Sequence, residues 1–365
     1  MSAGEQAARR ALAGRHAWLV GGVLRDRAIG LPTADVDVAV DGDPADAARA
    51  VAGAAGGAAC FLLSEEFEVW RVAARDSSWQ VDVQPLRGGS VEADLALRDF
   101  TVNAIAQPID GGALIDPLGG LADLAARRLR MTSPAAFDED AVRVLRLSRV
   151  ASELDLELEP ETLRAARAHA DALRSCPGER VFIELRRIVA APRVLRGLEL
   201  LERSGATAIV LPELEALRGM EQSRFHHLDV YEHTLEVLDR TIAVAAACSG
   251  DAPDPGEVLG EHRAQVAALL AEQLADGLTR ADALRWGALL HDAAKPLTRA
   301  VRPDGRVTFI GHDSRGADLA RTVLGRLRAL RHAAAVDVAP GHAAAGRRGL
   351  CAAGDRRGLV VRAGR

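Results

Sequence analysis

Asp35 and Asp37 stand two residues apart in the run Asp35-Val36-Asp37-Val38-Ala39-Val40, where acidic and apolar side chains alternate. That alternation predicts a β-strand, and side chains two apart on a strand share a face. Two neighbouring carboxylates repel unless a cation lies between them. A hard divalent ion such as Mg2+, held by one or two carboxylates and by substrate phosphates, satisfies the pair. A strand face carrying two hydrated charges is the alternative. Asp82, in Val81-Asp82-Val83, alternates with apolar neighbours in the same way. It is either a third carboxylate at the same edge or a surface aspartate.

Phosphate-binding chemistry comes next. The apolar run Ala17–Val20 leads into Gly21-Gly22, and Val23 to Ile29 then reads as helix. Glycine lets a backbone approach a phosphate, and a helix start offers unpaired N–H groups. Arg25 falls in the first helical turn, within reach of a triphosphate, although many tight turns look alike. Glu92 to Ala106 fits a helix or helix-turn whose polar cluster is Arg98, Asp99 and Asn103. Leu121 to Leu129 reads as helix, with Asp123 near its start as a solvated cap or a salt-bridge partner. Phe137 to about Glu153 reads as one amphipathic helix. There Glu139 and Arg143 are four apart and Asp140 and Arg143 three apart, so all three share a face. They form an ordinary ion pair at a helix start, or they present hydrogen-bonding edges to a base.

A separate constellation lies downstream. His233 falls in a helical stretch, and His291-Asp292 is embedded in a second apolar one, Trp286 to Pro296. A histidine opposite an adjacent His-Asp pair is either a divalent-metal set or a group of structural side chains. His312 is a further ligand or phosphate contact.

The elements that must position these groups fall in a clear order. Strands are predicted at Ala59–Leu63, Glu68–Ala74 and Trp79–Leu86, after an Ala-rich helix ending near Ala55. From Glu161 onward the pattern is helical. At 365 residues the chain has room for more than one domain. No apolar run approaches the ~20 residues of a membrane helix. The first residues have no apolar core of a secretory signal. Cys60, Cys176, Cys248 and Cys351 show neither zinc nor disulfide spacing, which fits a reducing cytoplasm. A net charge of −5 advertises no global nucleic-acid field, yet does not exclude a local basic groove. Lys295 is the only lysine, so nearly all positive charge is arginine. Arginine suits bidentate phosphate and base contacts, and the same bias is what a GC-rich genome produces. After about Leu330 the helical pattern ends in Ala, Gly and Arg. This end is expected to be a disordered tail or the frameshifted end of a GC-rich gene.

Taken together, five ordered segments resemble the class II tRNA nucleotidyltransferases (CCA-adding enzymes) and the related bacterial poly(A) polymerases. They are Leu19-Val20-Gly21-Gly22-x-x-Arg25-Asp26, Asp35-x-Asp37, Arg98-Asp99-Phe100-Thr101-x-Asn103-Ala104, Asp116-Pro117-x-Gly119-Gly120-x-x-Asp123-Leu124 and Glu139-Asp140-x-x-Arg143-x-x-Arg146. His233 and His291-Asp292 then resemble the HD domain that some members carry. The resemblance runs from about Ala17 to Arg328.

It implies an α/β, polymerase-β-like nucleotidyltransferase head over residues 1–130. A helical neck and body over 131–218 and a partial HD-like helical domain over 219–330 follow, with 331–365 as tail. It implies Asp35 and Asp37 as Mg2+ ligands beside Asp82. Gly21, Gly22, Arg25, Arg98, Asp99 and Asn103 fall at the nucleotide. Glu139, Asp140 and Arg143 match the template that selects CTP and ATP, and Arg146 a further nucleotide contact. The implied activity is addition of CMP and AMP to tRNA 3′ ends. CC-only or A-only addition, or poly(A) synthesis, are alternatives inside the family. An HD-type phosphohydrolase or an inactive RNA-binding product are alternatives outside it. The chain also departs from the family pattern. Leu97 stands where a second arginine usually precedes Asp-Phe-Thr, and the later HD aspartate has only Asp337, in altered texture, to match it.

Overall fold

A computed structural model describes residues 1–33, 35–221, 228–253 and 259–329. The expected tail from Arg331 and the pair His226-His227 lie outside the described residues. Contacts divide the chain into two units, the first comprising 1–143 and 154–166, the second 144–153 and 167–365.

The first unit is a mixed sheet with helices. In chain order it runs α1 (Ala3–Leu12), β1 (Ala17–Val20), α2 (Gly22–Ala28), β2 (Asp35–Val40), α3 (Pro44–Ala54), β3 (Ala59–Ser64), β4 (Val69–Ala73), β5 (Gln80–Pro85), α4 (Val91–Ala96), β6 (Ala106–Pro108), α5 (Gly120–Ala125) and α6 (Ala136–Glu139). Helix α7 (Arg143–Leu154) follows, and most of it belongs to the second unit. The strand order is β3-β4-β5-β2-β1-β6. Only β2 and β5 pair in parallel; the other neighbours are antiparallel.

Period-two alternation sorts the strand residues between two faces. Val36, Val38 and Val40 of β2, Val72 of β4, and Val81 and Val83 of β5 join Ala7, Ala8 and Leu12 of α1 and Ala48 and Val51 of α3 in one buried core. Each such valine or leucine stabilises the fold by about 1.5–3 kcal/mol relative to exposure. A one-residue register slip would send the β2 aspartates into that core, which strongly specifies the observed register. On the opposite face a smaller cluster of Val20, Ala39, Val91, Leu95, Ala104 and Ala106 covers only part of the sheet. The acidic residues lie on that face.

Some local expectations are corrected. The Glu92–Ala106 stretch is not mainly helical, since α4 stops at Ala96, a 3-10 turn takes Thr101–Asn103, and Ala106 enters β6. Helix α5 ends at Ala125, and Arg128–Leu129 is instead a short strand beside Glu157–Leu158. The predicted helix from Phe137 is broken at Asp140, which is extended at φ −155° and ψ 107°. Asp140 accepts from the Val142 backbone N–H at 3.1 Å, so its short side chain competes with the helical hydrogen-bond pattern. Of the two readings of Asp123, the structure bears out the salt-bridge partner and not the solvated cap. Asp123 is fully buried and accepts from Thr101 Oγ1 at 2.6 Å, Arg128 Nε at 2.6 Å and Arg130 Nε at 2.9 Å.

The second unit is helical, with long members at Gly178–Ala190, Val230–Ser249, Arg280–Leu290 and His312–Arg326. The Val230 helix starts on a reciprocal cap, in which Asp229 accepts from the Glu232 N–H and Glu232 accepts from the Asp229 N–H. Buried Glu184 takes Arg149 Nε at 2.6 Å and Arg146 Nε at 3.3 Å. The arginines of these helices thus form, in part, an internal ion network. Among the described residues no helix is long and apolar enough to cross a membrane.

Candidate active site

The strand register places the acids of the first unit in one transverse row. Asp37 on β2 lies opposite Asp82 on β5, Asp82 lies opposite Arg71 on β4, and on the other side Asp37 lies opposite Val20. Asp35, two residues before Asp37, is exposed on the same face, while Asp37 is half-buried. Opposite residues on neighbouring strands point to the same face, so Asp35, Asp37 and Asp82 share one face of the sheet. Arg71 holds Asp82 with a two-toothed grip, Nε and Nη2 each donating at 2.7 Å. That hydrogen bond raises the Arg71 pKa against the opposing effect of burial, and the charges of Asp82, Asp35 and Asp37 add to it. An all-carboxylate donor set is the kind a hard ion such as Mg2+ takes.

Gly21 makes room beside this row. Its φ of +76° and ψ of −139° suit glycine. A Cβ there would lie 3.1 Å from Arg98 Nη1 and 3.3 Å from Asp37 Oδ2. The Arg98 guanidinium and the Asp37 carboxylate therefore both border the Gly21 Cα. Arg98 is held by Asp94, which accepts from its Nη2 at 2.9 Å and from Arg87 Nε at 3.1 Å while fully buried. Arg25 is nearly buried and donates to Asn103 Oδ1 at 2.5 Å and to Asp26 Oδ1 at 2.8 Å. Asn103 in turn donates to Asp99 Oδ1 at 3.0 Å. With α2 only seven residues long, the cationic character here comes chiefly from Arg25 and Arg98.

The Glu139–Arg143 pair forms, at 3.0 Å. Arg143 is buried and also donates to Ala136 O at 2.8 Å and Leu97 O at 2.9 Å. It thus pins the segment that carries Arg98 to the start of α7. Arg146 belongs to the second unit, with Glu184.

Sequence reading missed Arg71 and Asp94. Arg71 has a visible signal, since alternation within β4 puts it on the face opposite Val72. Its partner is set by register, which no local pattern reveals. Asp94 looked like an ordinary helix-start acid and was not singled out.

The second unit gathers His233, His291 and Asp292, whose ligand atoms all lie within 4.8 Å of one another. His291 Nδ1 is bound to Ala288 O at 2.8 Å, leaving Nε2 at 3.1 Å from Asp292 Oδ2. His312 repeats this arrangement, with Nδ1 on Phe309 O at 2.7 Å and Nε2 at 3.7 Å from Asp292 Oδ1. A carbonyl bound to one imidazole nitrogen fixes the tautomer and aims the other, as at metal-binding histidines. Lys295 Nζ lies 2.7 Å from Asp292 Oδ2. Burial opposes ionisation of Asp292, but His291 and Lys295 outweigh it and hold the carboxyl at about 2. The His and Asp donors fit a divalent metal.

Comparison with known proteins shows the family. Residues 17–130 match the poly(A) polymerase head domain, 155–217 match the "probable RNA and SrmB-binding site of polymerase A", and 259–346 match the HD domain. A multifunctional CCA protein of Azoarcus sp. is 35% identical over 327 residues, covering 86% of this chain and 69% of that protein. The chain belongs to the tRNA nucleotidyltransferase family. Its α/β head, helical body and HD domain are those expected from the family resemblance. Family relatives include an A-adding tRNA nucleotidyltransferase of Deinococcus radiodurans, 42% identical over 85% of the chain and 64% of that protein. A CC-adding tRNA nucleotidyltransferase of Geobacter sulfurreducens is 40% identical over 54% of the chain and 46% of that protein. The chain therefore spans less than two thirds of these two relatives' length. A solved structure of a tRNA-processing enzyme with CTP superposes with a TM-score of 0.53 at 27% identity, covering 67% of this chain and 64% of that one. The Thermotoga maritima CCA-adding enzyme complexed with tRNA shares the fold, with a TM-score of 0.58 at 19% identity over 90% of this chain and 70% of that one.

Proposed function

We propose that this protein is a Mg2+-dependent nucleotidyltransferase of the bacterial cytoplasm that adds CMP and AMP to tRNA 3′ ends from CTP and ATP. The observation that carries the reading is the row of Asp35, Asp37 and Asp82 beside Gly21 and Arg98. Asp35 and Asp37 would hold the Mg2+, which when bound supplies charge neutralisation at the triphosphate and a more acidic 3′-hydroxyl. The RNA 3′-oxygen attacks the α-phosphorus and pyrophosphate leaves. Arg98 and Arg25 pair with phosphate oxygens, and the missing side chain of Gly21 lets the phosphates approach. Glu139, Asp140 and Arg143 supply the base-selecting edge. A pocket that hydrogen-bonds a base edge discriminates far better than an apolar slot. Arg143, anchored on Leu97 O and Ala136 O, holds Glu139 in place. Grip on the tRNA is mainly arginine to phosphate and weakens as salt rises.

The test is incubation of the protein with tRNA ending at the discriminator base, with CTP and ATP singly and together, beside Asp37→Ala. Product length reads the outcome. Extension by two C and one A supports CCA addition. Arrest after CC, a single A on a CC-ended tRNA, or a long A tract would replace it with CC-only, A-only or poly(A) synthesis. Incorporation unchanged in Asp37→Ala would sink the reading altogether. The His233, His291, Asp292 and His312 cluster favours a second activity, metal-dependent phosphoester hydrolysis. Hydrolysis surviving His291→Ala would remove that reading.

A further inference from the structure

We infer that Arg71 is a positioning residue that keeps Asp82 away from the metal until the nucleotide's phosphates draw it off. The inference rests on the metal reading of the acidic row.

Asp82 is the inner neighbour of Asp37 in the β2–β5 register, so its carboxylate faces the same ion that Asp35 and Asp37 would hold. Both of its oxygens are already engaged, Oδ1 by Arg71 Nε and Oδ2 by Arg71 Nη2, each at 2.7 Å. A carboxylate in a two-toothed guanidinium grip is a poor metal ligand, because both oxygens accept charged hydrogen bonds and a positive charge stands beside them. The Arg71 side chain is only 26% exposed, and Asp82 only 19%, so water screens the pair weakly. The fields of Asp35 and Asp37 reach the same guanidinium, which places Arg71 inside the cluster as its built-in cation.

Arg71 and the divalent ion therefore compete for one row of negative charge. A triphosphate changes the balance, because its oxygens offer the guanidinium an equally well-matched fork and more negative charge. Arg71 then transfers two N–H···O contacts from Asp82 to phosphate, and Asp82 turns to the metal. Metal and nucleotide binding become coupled, each tightening the other by the same factor. A site built in this way resists loading and chemistry without its nucleotide.

The experiment is titration calorimetry of Mn2+ into the full chain, with and without α,β-methylene CTP, which carries three phosphates but cannot release pyrophosphate. All proteins carry His291→Ala so that the His/Asp cluster of the second unit does not contribute. In the parent, the analogue is expected to tighten Mn2+ binding about tenfold. In Arg71→Gln, Mn2+ alone binds about tenfold tighter and the analogue adds no more than about twofold. Arg71→Lys keeps the charge but loses the fork, and gives an intermediate value; it also serves if the glutamine variant folds poorly. Adding Asp82→Asn to Arg71→Gln removes the gain. Arg71→Gln and Arg71→Lys proteins that bind Mn2+ as the parent does, with the analogue's effect intact, overturn the inference. Asp37→Asn separates the two levels of the argument. If it abolishes Mn2+ binding while both Arg71 variants behave as parent, only the role of Arg71 fails. If it leaves Mn2+ binding unchanged, the metal reading fails and the inference with it.

Discussion

Replacing Gly21 with alanine tests the claim that the glycine makes room for Asp37 and Arg98 beside it. Two costs follow from the structure. The backbone at φ +76° and ψ −139° is a conformation that residues with a Cβ rarely adopt, at a cost of about 1–3 kcal/mol. For a unit of this size, about 2–4 °C of Tm is lost per kcal/mol, so the head should melt about 2–12 °C lower. The second cost is local. The new methyl would sit 3.1 Å from Arg98 Nη1 and 3.3 Å from Asp37 Oδ2, closer than ordinary contact allows. Both groups must yield by a few tenths of an ångström. Misplacement by about 1 Å at a reacting centre costs about 100-fold, so kcat/KM for CTP incorporation should fall about 10- to 100-fold. Gly14→Ala is the control: its φ is +72°, but nothing lies within 4 Å of the added Cβ. It should lose stability and keep activity. Melting curves and initial rates on both variants decide. If Gly21→Ala melts like Gly14→Ala and keeps kcat/KM within about twofold of the parent, the close approach has no catalytic meaning.

Further expectations follow from the same geometry. Asp123→Ala leaves half-exposed Arg128 and Arg130 and buried Thr101 without their shared partner and should destabilise the head by about 1.5–3 kcal/mol, readable by urea unfolding. Burial raises the Asp123 pKa, but Thr101, Arg128 and Arg130 outweigh it and set it below the usual value. A depressed folded pKa means that the stabilisation is present above the unfolded value, about 3.9, and is lost as pH falls through the folded one. The Tm of the parent should therefore drop below about pH 4, and Asp123→Asn should show a shallower acid limb. Glu184→Ala leaves buried Arg149 with Glu153 alone and should cost the second unit about 1.5–3 kcal/mol in urea unfolding. Asp292→Ala should lower the divalent metal retained after dialysis without lowering CMP incorporation; equal metal content by mass spectrometry would argue against the His/Asp site.

The strands of the head were legible because alternation has one meaning along a half-covered sheet. Asp35, Asp37 and Asp82 were readable as one-face carboxylates for that reason. The helix expected from Phe137 was misread, because periodicity registers apolar spacing and not the competition of the Asp140 side chain for a backbone N–H. The same limit hid the strand at Ala106, since three residues are too few to show a period. Spacing leaves Asp123 open between solvated cap and salt-bridge partner, because a helix-start acid looks the same whether water or two arginines surround it.

By itself, the sequence determined the order of the motifs, the strand alternation that sends valines inward and aspartates outward, and the His-Asp pair on an apolar helix. These are consequences of side-chain type and spacing, which act over a few residues. Only the tertiary structure decided that Asp82 stands beside Asp37, that Arg71 grips it, that Arg98 and Asp37 both border Gly21, and that Glu184 is enclosed by arginines. Those pairings join residues far apart in the chain. They depend on register and packing, and burial of the valine core selects them.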